Sequence, residues 1–153
     1  MMKLTKKSFY FLSLTWGLLY TTVGAIVALA LILTGHKPNR WGWSWYFEVG
    51  KKPWGGAEWG PVFIKDRYSG DSLKNHEFGH AIQNCRYGPL MVPLVSLPSS
   101  IRYWFRRIRA KLGMASKTNY DDVWFENQAT KLGTRQIQMI QEKQSHPSNP
   151  PQP

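Results

Sequence analysis

The sequence predicts an α+β chain: one N-terminal transmembrane helix followed by a small domain built from a short β-hairpin or edge strand and two helices. Three observations carry this. The run Phe9 to Leu33 holds no charge, residues 52–66 alternate turn chemistry with a β-like stretch, and His76-Glu77-Phe78-Gly79-His80 lies between clear helix start and stop signals. A chain of 153 residues has room for one such domain plus accessories.

Residues 1–8 form a basic flank containing Lys3, Lys6 and Lys7. The 25 residues from Phe9 to Leu33 are enough to cross a hydrocarbon core, which takes about 20. Val23-Gly24-Ala25 would suit a cleaved secretory signal, yet the run stays apolar well past the 7–15 residues or so of a signal's apolar segment. Residues 9–33 are therefore expected to be a retained signal anchor in the cell membrane. Its orientation is open, because Lys37, Arg40, Lys51 and Lys52 balance the N-terminal lysines.

Residues 34–53 read as an aromatic and basic interfacial linker. Within it Trp41, Trp43 and Trp45 suit either an aromatic belt at headgroup level or the first core strand of the domain. The domain itself is assigned to 54–144. The turn-rich Lys52 to Pro61 leads into the strand-like Val62 to Asp66. Ser69 to Ser72 supply cap residues for a helix from Leu73 to Tyr87, closed by Gly88-Pro89. Pro89, Pro93 and Pro98 argue against one regular helix through the apolar stretch from Gly88 to Ile101, so a buried connector or a shallow re-entrant membrane loop is expected. After it, Arg102, Arg106, Arg107 and Arg109 interleave with Trp104, and helical spacing groups Ile101, Trp104, Phe105 and Ile108 on one face. That is the pattern of an interfacial helix on anionic lipid; the plainer alternative is an amphipathic helix packed on the core. Asn119 or Asp121 caps a second helix that stops at Gly133, Thr134 to Gln144 add a short amphipathic helix, and 145–153 form a disordered tail by composition.

The net charge of +11 favours an anionic partner, either a phospholipid surface or a nucleic acid. Eight Trp beside a long apolar run point to lipid, and no nucleic-acid-binding motif is present, so no nucleic-acid partner is expected. Cys85 is the only cysteine, which excludes an internal disulfide and any multi-cysteine zinc site and leaves it as a packing residue.

On a helix, His76 and His80 lie about 40° apart around the axis and roughly 6 Å along it, so both imidazoles reach one metal. Glu77, turned by about 100°, stays out of the ligand set but beside it, where it can accept a proton. A catalytic site usually takes three protein ligands, most often one Zn²⁺ ion with an open position. A third histidine at 86 is absent, since Gln83 and Arg86 occupy the positions an extended HExxHxxGxxH motif would need. A later carboxylate is the remaining choice: Glu126 in Trp124-Phe125-Glu126-Asn127-Gln128-Ala129 leads, with Asp122 as its rival.

His76-Glu77-Phe78-Gly79-His80 with the downstream Glu126-Asn127-Gln128-Ala129 resembles the gluzincin zinc metallopeptidases, including the HtpX-type membrane peptidases and the minigluzincins; Thr130 stands where that group carries Asp. The resemblance, which also extends to short bacterial membrane-anchored HExxH proteins, spans roughly Trp54 to Gly133. It implies a zincin-like domain, zinc held by His76, His80 and Glu126, a peptide or protein substrate, and Glu77 taking a proton from water and passing it to the leaving amine. It further implies an edge strand near Val62 to Ile64 along which an extended peptide lies. Tyr120 and Arg102 are candidate donors to the oxyanion. A non-catalytic membrane adaptor using residues 101–111, with any metal structural, is the competing function.

Overall fold

The uncharged N-terminal run folds as two helices. In the computed structural model, which describes residues 4–114 and 123–145, α1 (Lys6–Leu14) and α2 (Leu18–Leu33) meet at 95°. α1 opens on a capping box between Thr5 and Ser8 and lies on the domain: Phe9 is fully buried against Phe78, Ala81, Ile82, Cys85 and Ile137. The corner is held by Thr21 Oγ1, which donates to Ser13 O at 2.8 Å, and by Trp16 Nε1, which donates to Arg86 O at 3.4 Å. Among the described residues no single helix is long and apolar enough to cross a membrane. The 16 residues of α2 rise only about 24 Å, short of a core of about 30 Å. One continuous helical span over 9–33 is thus replaced by a bent pair, because α1 finds protein in which to bury its apolar side. α2 keeps Leu19, Val23, Ile26, Leu29, Ile32 and Leu33 exposed.

Four short strands follow: β1 (Asn39–Trp41), β2 (Ser44–Glu48), β3 (Gly56–Trp59) and β4 (Val62–Lys65), in the sheet order β1-β2-β4-β3. β1 runs antiparallel to β2, β2 parallel to β4 with Trp45 opposite Val62, and β3 antiparallel to β4 with Gly56 opposite Lys65. Two expectations change here. Residues 39–41 and 44–48 are strands of the sheet, the core-strand alternative and not an interfacial linker, and most of the tryptophan here serves internal packing. Trp43 packs on Phe9 and Phe78, while Trp41 donates from Nε1 to Asn75 Oδ1 at 3.0 Å with Lys74 over its ring; Trp45 alone of the three is exposed, beneath Arg40. Second, Val62 to Ile64 lie inside the sheet on β4, and the edge beside the histidine helix is β3. Strand order is a tertiary property that a local pattern does not carry.

α3 (Asp71–Tyr87) is as foreseen, started at Gly70 and ended by Gly88 at φ +53°. From there Gly88–Leu90 form a 3₁₀ turn, Val92–Ser96 a π turn, and Leu97–Lys111 the helix α4. The segment 88–111 is therefore helical almost throughout. Pro89, Pro93 and Pro98 each fall in the first turn of a helical piece, where a missing N–H costs nothing. Met91 and Val95 bury themselves against Phe125.

The last helix, α5 (Trp124–Ser145), runs straight through Gly133, which is a contact and not a stop. A Cβ on Gly133 would stand 1.7 Å from Asn75 O, and one on Gly79 would stand 1.8 Å from Ala129 O. The two helices cross so closely that only hydrogen fits between the backbones, and that contact offsets the roughly 1 kcal/mol a mid-helix glycine costs. Asn119, Tyr120, Asp121, Asp122 and the tail beyond Ser145 lie outside the described residues.

Candidate metal centre

The crossing of α3 and α5 fixes what meets what. His76 and His80 project from one face of α3 toward Glu126 in the first turn of α5. His76 Nε2 and His80 Nε2 stand 3.0 and 3.2 Å from Glu126 Oε2 and 3.1 Å from each other. A tetrahedral ion with bonds of about 2.0–2.1 Å needs neighbouring donors about 3.3 Å apart, so this near-equilateral triangle approximates one face of such a shell. Two imidazoles and a carboxylate form a buried group able to hold a metal ion. Glu126, foreseen as third ligand, is fully buried.

Each donor is aimed by a neighbour. His80 Nδ1 lies 2.8 Å from Gln83 Oε1, and Gln83 is oriented because its Nε2 donates to Phe125 O and Gln128 Oε1. An amide oxygen only accepts, so Gln83 fixes a proton on His80 Nδ1 and turns Nε2 to the shared point. His76 Nδ1 lies 2.8 Å from Thr130 Oγ1. Thr130 thus supports His76 through a hydroxyl. Ser99 Oγ donates to Glu126 Oε1 at 2.6 Å, leaving Oε2 to the imidazoles. Desolvation would raise the Glu126 carboxyl, but the hydrogen bonds to His76 and His80, the His80 charge and Ser99 outweigh it and hold it well below the usual carboxylate range.

Glu77 is buried one step around α3, against β3: a Cβ on Gly56 would lie 2.5 Å from Glu77 Oε1. Desolvation pushes its carboxyl upward; His76 and His80 pull against that, and Glu126 adds to it. Two cavities, of about 900 and 480 Å³, flank this point and both touch Trp54, Gly56, His76, Glu77, Tyr103 and Arg107. A cleft therefore passes over His76 and Glu77 with β3 on one side and α4 on the other. Its rim near Trp54 and Gly55 is tied down by Asp66, which accepts from Trp54 N, Gly55 N, Tyr68 N and Ser69 N. Burial would raise Asp66, and the Gly55, Ser69 and Trp54 amides with the Ser69 hydroxyl reverse it to well below the usual range.

α4 is oriented the opposite way to a core helix. None of its residues is buried; Ile101, Trp104, Phe105 and Ile108 point outward, while Arg102, Arg106 and Arg109 are half-buried on the inner side and Arg107 is exposed. Packing of the apolar face on the core does not occur. Cys85 is buried and its thiol is pushed up to about 11, chiefly by desolvation, as suits an inert packing residue. Sequence reasoning missed Ser99, Gln83 and Thr130 as supports. The last two had a signal, standing three residues beyond His80 and four beyond Glu126 on the same helix faces; Ser99 had none. Comparison of the chain with protein-family models, curated proteins and solved structures finds no match.

Proposed function

We propose that the chain is a membrane-associated zinc metallopeptidase. The observation that carries the reading is the convergence of His76, His80 and Glu126 at 3.0–3.2 Å, with the buried Glu77 beside them on an open cleft. Nitrogen and carboxylate donors in a nearly tetrahedral face suit Zn²⁺, which when bound supplies Lewis acidity to water and to a carbonyl. The chain's own part is proton management and positioning. Glu77, its carboxyl pushed up by burial, accepts the proton of the attacking water and returns it to the leaving amine. β3 offers the edge along which an extended peptide would add as a strand, with α4 opposite. The exposed apolar faces of α2 and α4 support residence at a lipid surface, and the net charge of +11 suits anionic lipid. An adaptor would gain nothing from a buried glutamate facing the cleft beside a pre-aimed ligand set.

The test is metal analysis together with hydrolysis of an unfolded protein by the full chain. One zinc per chain is expected, with proteolysis that Glu77→Gln lowers by about 10²–10⁴-fold while the metal is retained. Zinc-free protein, or an unimpaired Glu77→Gln variant, would sink the proposal.

A further inference from the structure

We propose that Glu58 ends a side-chain subsite for a cationic residue, lysine or arginine, of a peptide lying along β3. The proposal rests on the peptidase reading above and names the substrate class for the same cleft. Residues two apart on a strand share a face, so Glu58 points to the side on which Gly56 abuts Glu77. Glu58 is only 6% exposed and lines the cavity of about 480 Å³ together with His76, Glu77 and His80. Its carboxyl takes the Gly60 N–H, yet Oε1 has no hydrogen-bond partner among the described residues. A buried carboxyl oxygen without a donor is costly unless something else supplies one. Burial, its largest influence, pushes the group well above its ordinary value, and a cation beside Oε1 would restore the ionised form.

The walls fit the rest of such a side chain. Trp59, Met91 and Val95 line the cavity with apolar surface, and Ser96 Oγ donates to Tyr20 OH at 2.9 Å on the same wall. A lysine would lay its methylenes along the apolar wall and bring its ammonium to Oε1, a charge-assisted hydrogen bond in a largely desolvated place. Arg107 also lines the cavity, but at the exposed rim, where it donates to Tyr103 OH at 2.7 Å. A neutral acid serving only to pack the sheet against α3 would predict no preference among side chains.

The zinc-loaded full chain is offered acetyl-capped peptides identical except for one central residue: lysine, norleucine or glutamate. Lysine should be favoured over norleucine by roughly tenfold or more in kcat/KM, the factor a charge-assisted hydrogen bond supplies. In Glu58→Gln that ratio should fall to within about twofold, with circular dichroism and zinc content checking the fold. Equal cleavage of the lysine and norleucine peptides by the native chain overturns the subsite, as does a preference that survives Glu58→Gln. Binding is measured separately in the Glu77→Gln chain by tryptophan emission, with n-butylammonium against n-butanol. Tighter binding of the ammonium that is lost when Glu58→Gln is added supports the subsite even if no peptide is cut, in which case only the peptidase reading fails. Cleavage without lysine preference has the reverse meaning.

Discussion

The crossing of α3 with α5 and the outer face of α4 break the same rule in opposite directions. From Glu77 to Cys85, α3 has an unbroken buried run that includes Glu77, His80, Gln83 and Asn84, whereas α4 buries nothing and turns Ile101, Trp104, Phe105 and Ile108 outward. Polar groups inside are tolerated in α3 because several close on one another: His80 on Gln83, Gln83 on Phe125 and Gln128, and Glu126 on Ser99 and both imidazoles. Apolar groups outside α4 have no such internal account, and a contiguous exposed apolar face of this kind is what an interaction surface looks like. The first region is closed on itself; the second presents an open apolar face.

Three perturbations separate the two regions, the largest on the crossing itself. Gly133→Ala or Gly79→Ala places a methyl within 1.8 Å of a carbonyl oxygen on the facing helix. Forcing the helices apart should cost about 1–3 kcal/mol or more in chemical denaturation and should abolish stoichiometric metal, since Glu126 moves with α5. If Gly133→Ala kept full metal, the crossing would not be what positions the third ligand. Smaller effects are expected one step out. Gln83→Leu removes the acceptor that fixes the His80 tautomer and should weaken metal binding by about 10–100-fold in a competitive chelator titration; Thr130→Val should give the lower end of that range. Smallest in solution are polar substitutions on α4. Trp104→Ser with Ile108→Ser should leave stability within about 0.5 kcal/mol. The same pair should sharply reduce sedimentation with anionic vesicles, and unchanged vesicle binding would remove the lipid role of this face.

Much of the metal triad was legible because its parts are local. His76 and His80 are four apart between a start near Ser69 and a stop at Gly88, and Glu126 stood out as a carboxylate among aromatics on a later helix. What escaped was tertiary. Nothing in an uncharged stretch distinguishes Phe9, fully buried against Phe78, from Leu33, 77% exposed, so the corner between α1 and α2 left no compositional trace. Gly133 reads equally as a helix end or a helix contact, and only the position of Asn75 decides. Prolines that suggested an irregular connector over 88–101 were helix-starting residues, a distinction set by phase and not by presence. Edge position in the sheet depends on β2 and β4 pairing directly in parallel, although β3 lies between them in the chain.

The triad also ties together parts of the chain 46 residues apart. An ion held at that point acts as a reversible cross-link that exists only when α5 is seated, so its binding free energy adds to folding, about 2.7 kcal/mol at a hundred times the dissociation constant. α5 enters this linkage with one buried carboxylate at its first turn and two glycine contacts along its length. Withdrawal of metal should therefore loosen α5 ahead of the sheet and open it to proteolysis. The amount of intact protein in a cell would then follow metal supply.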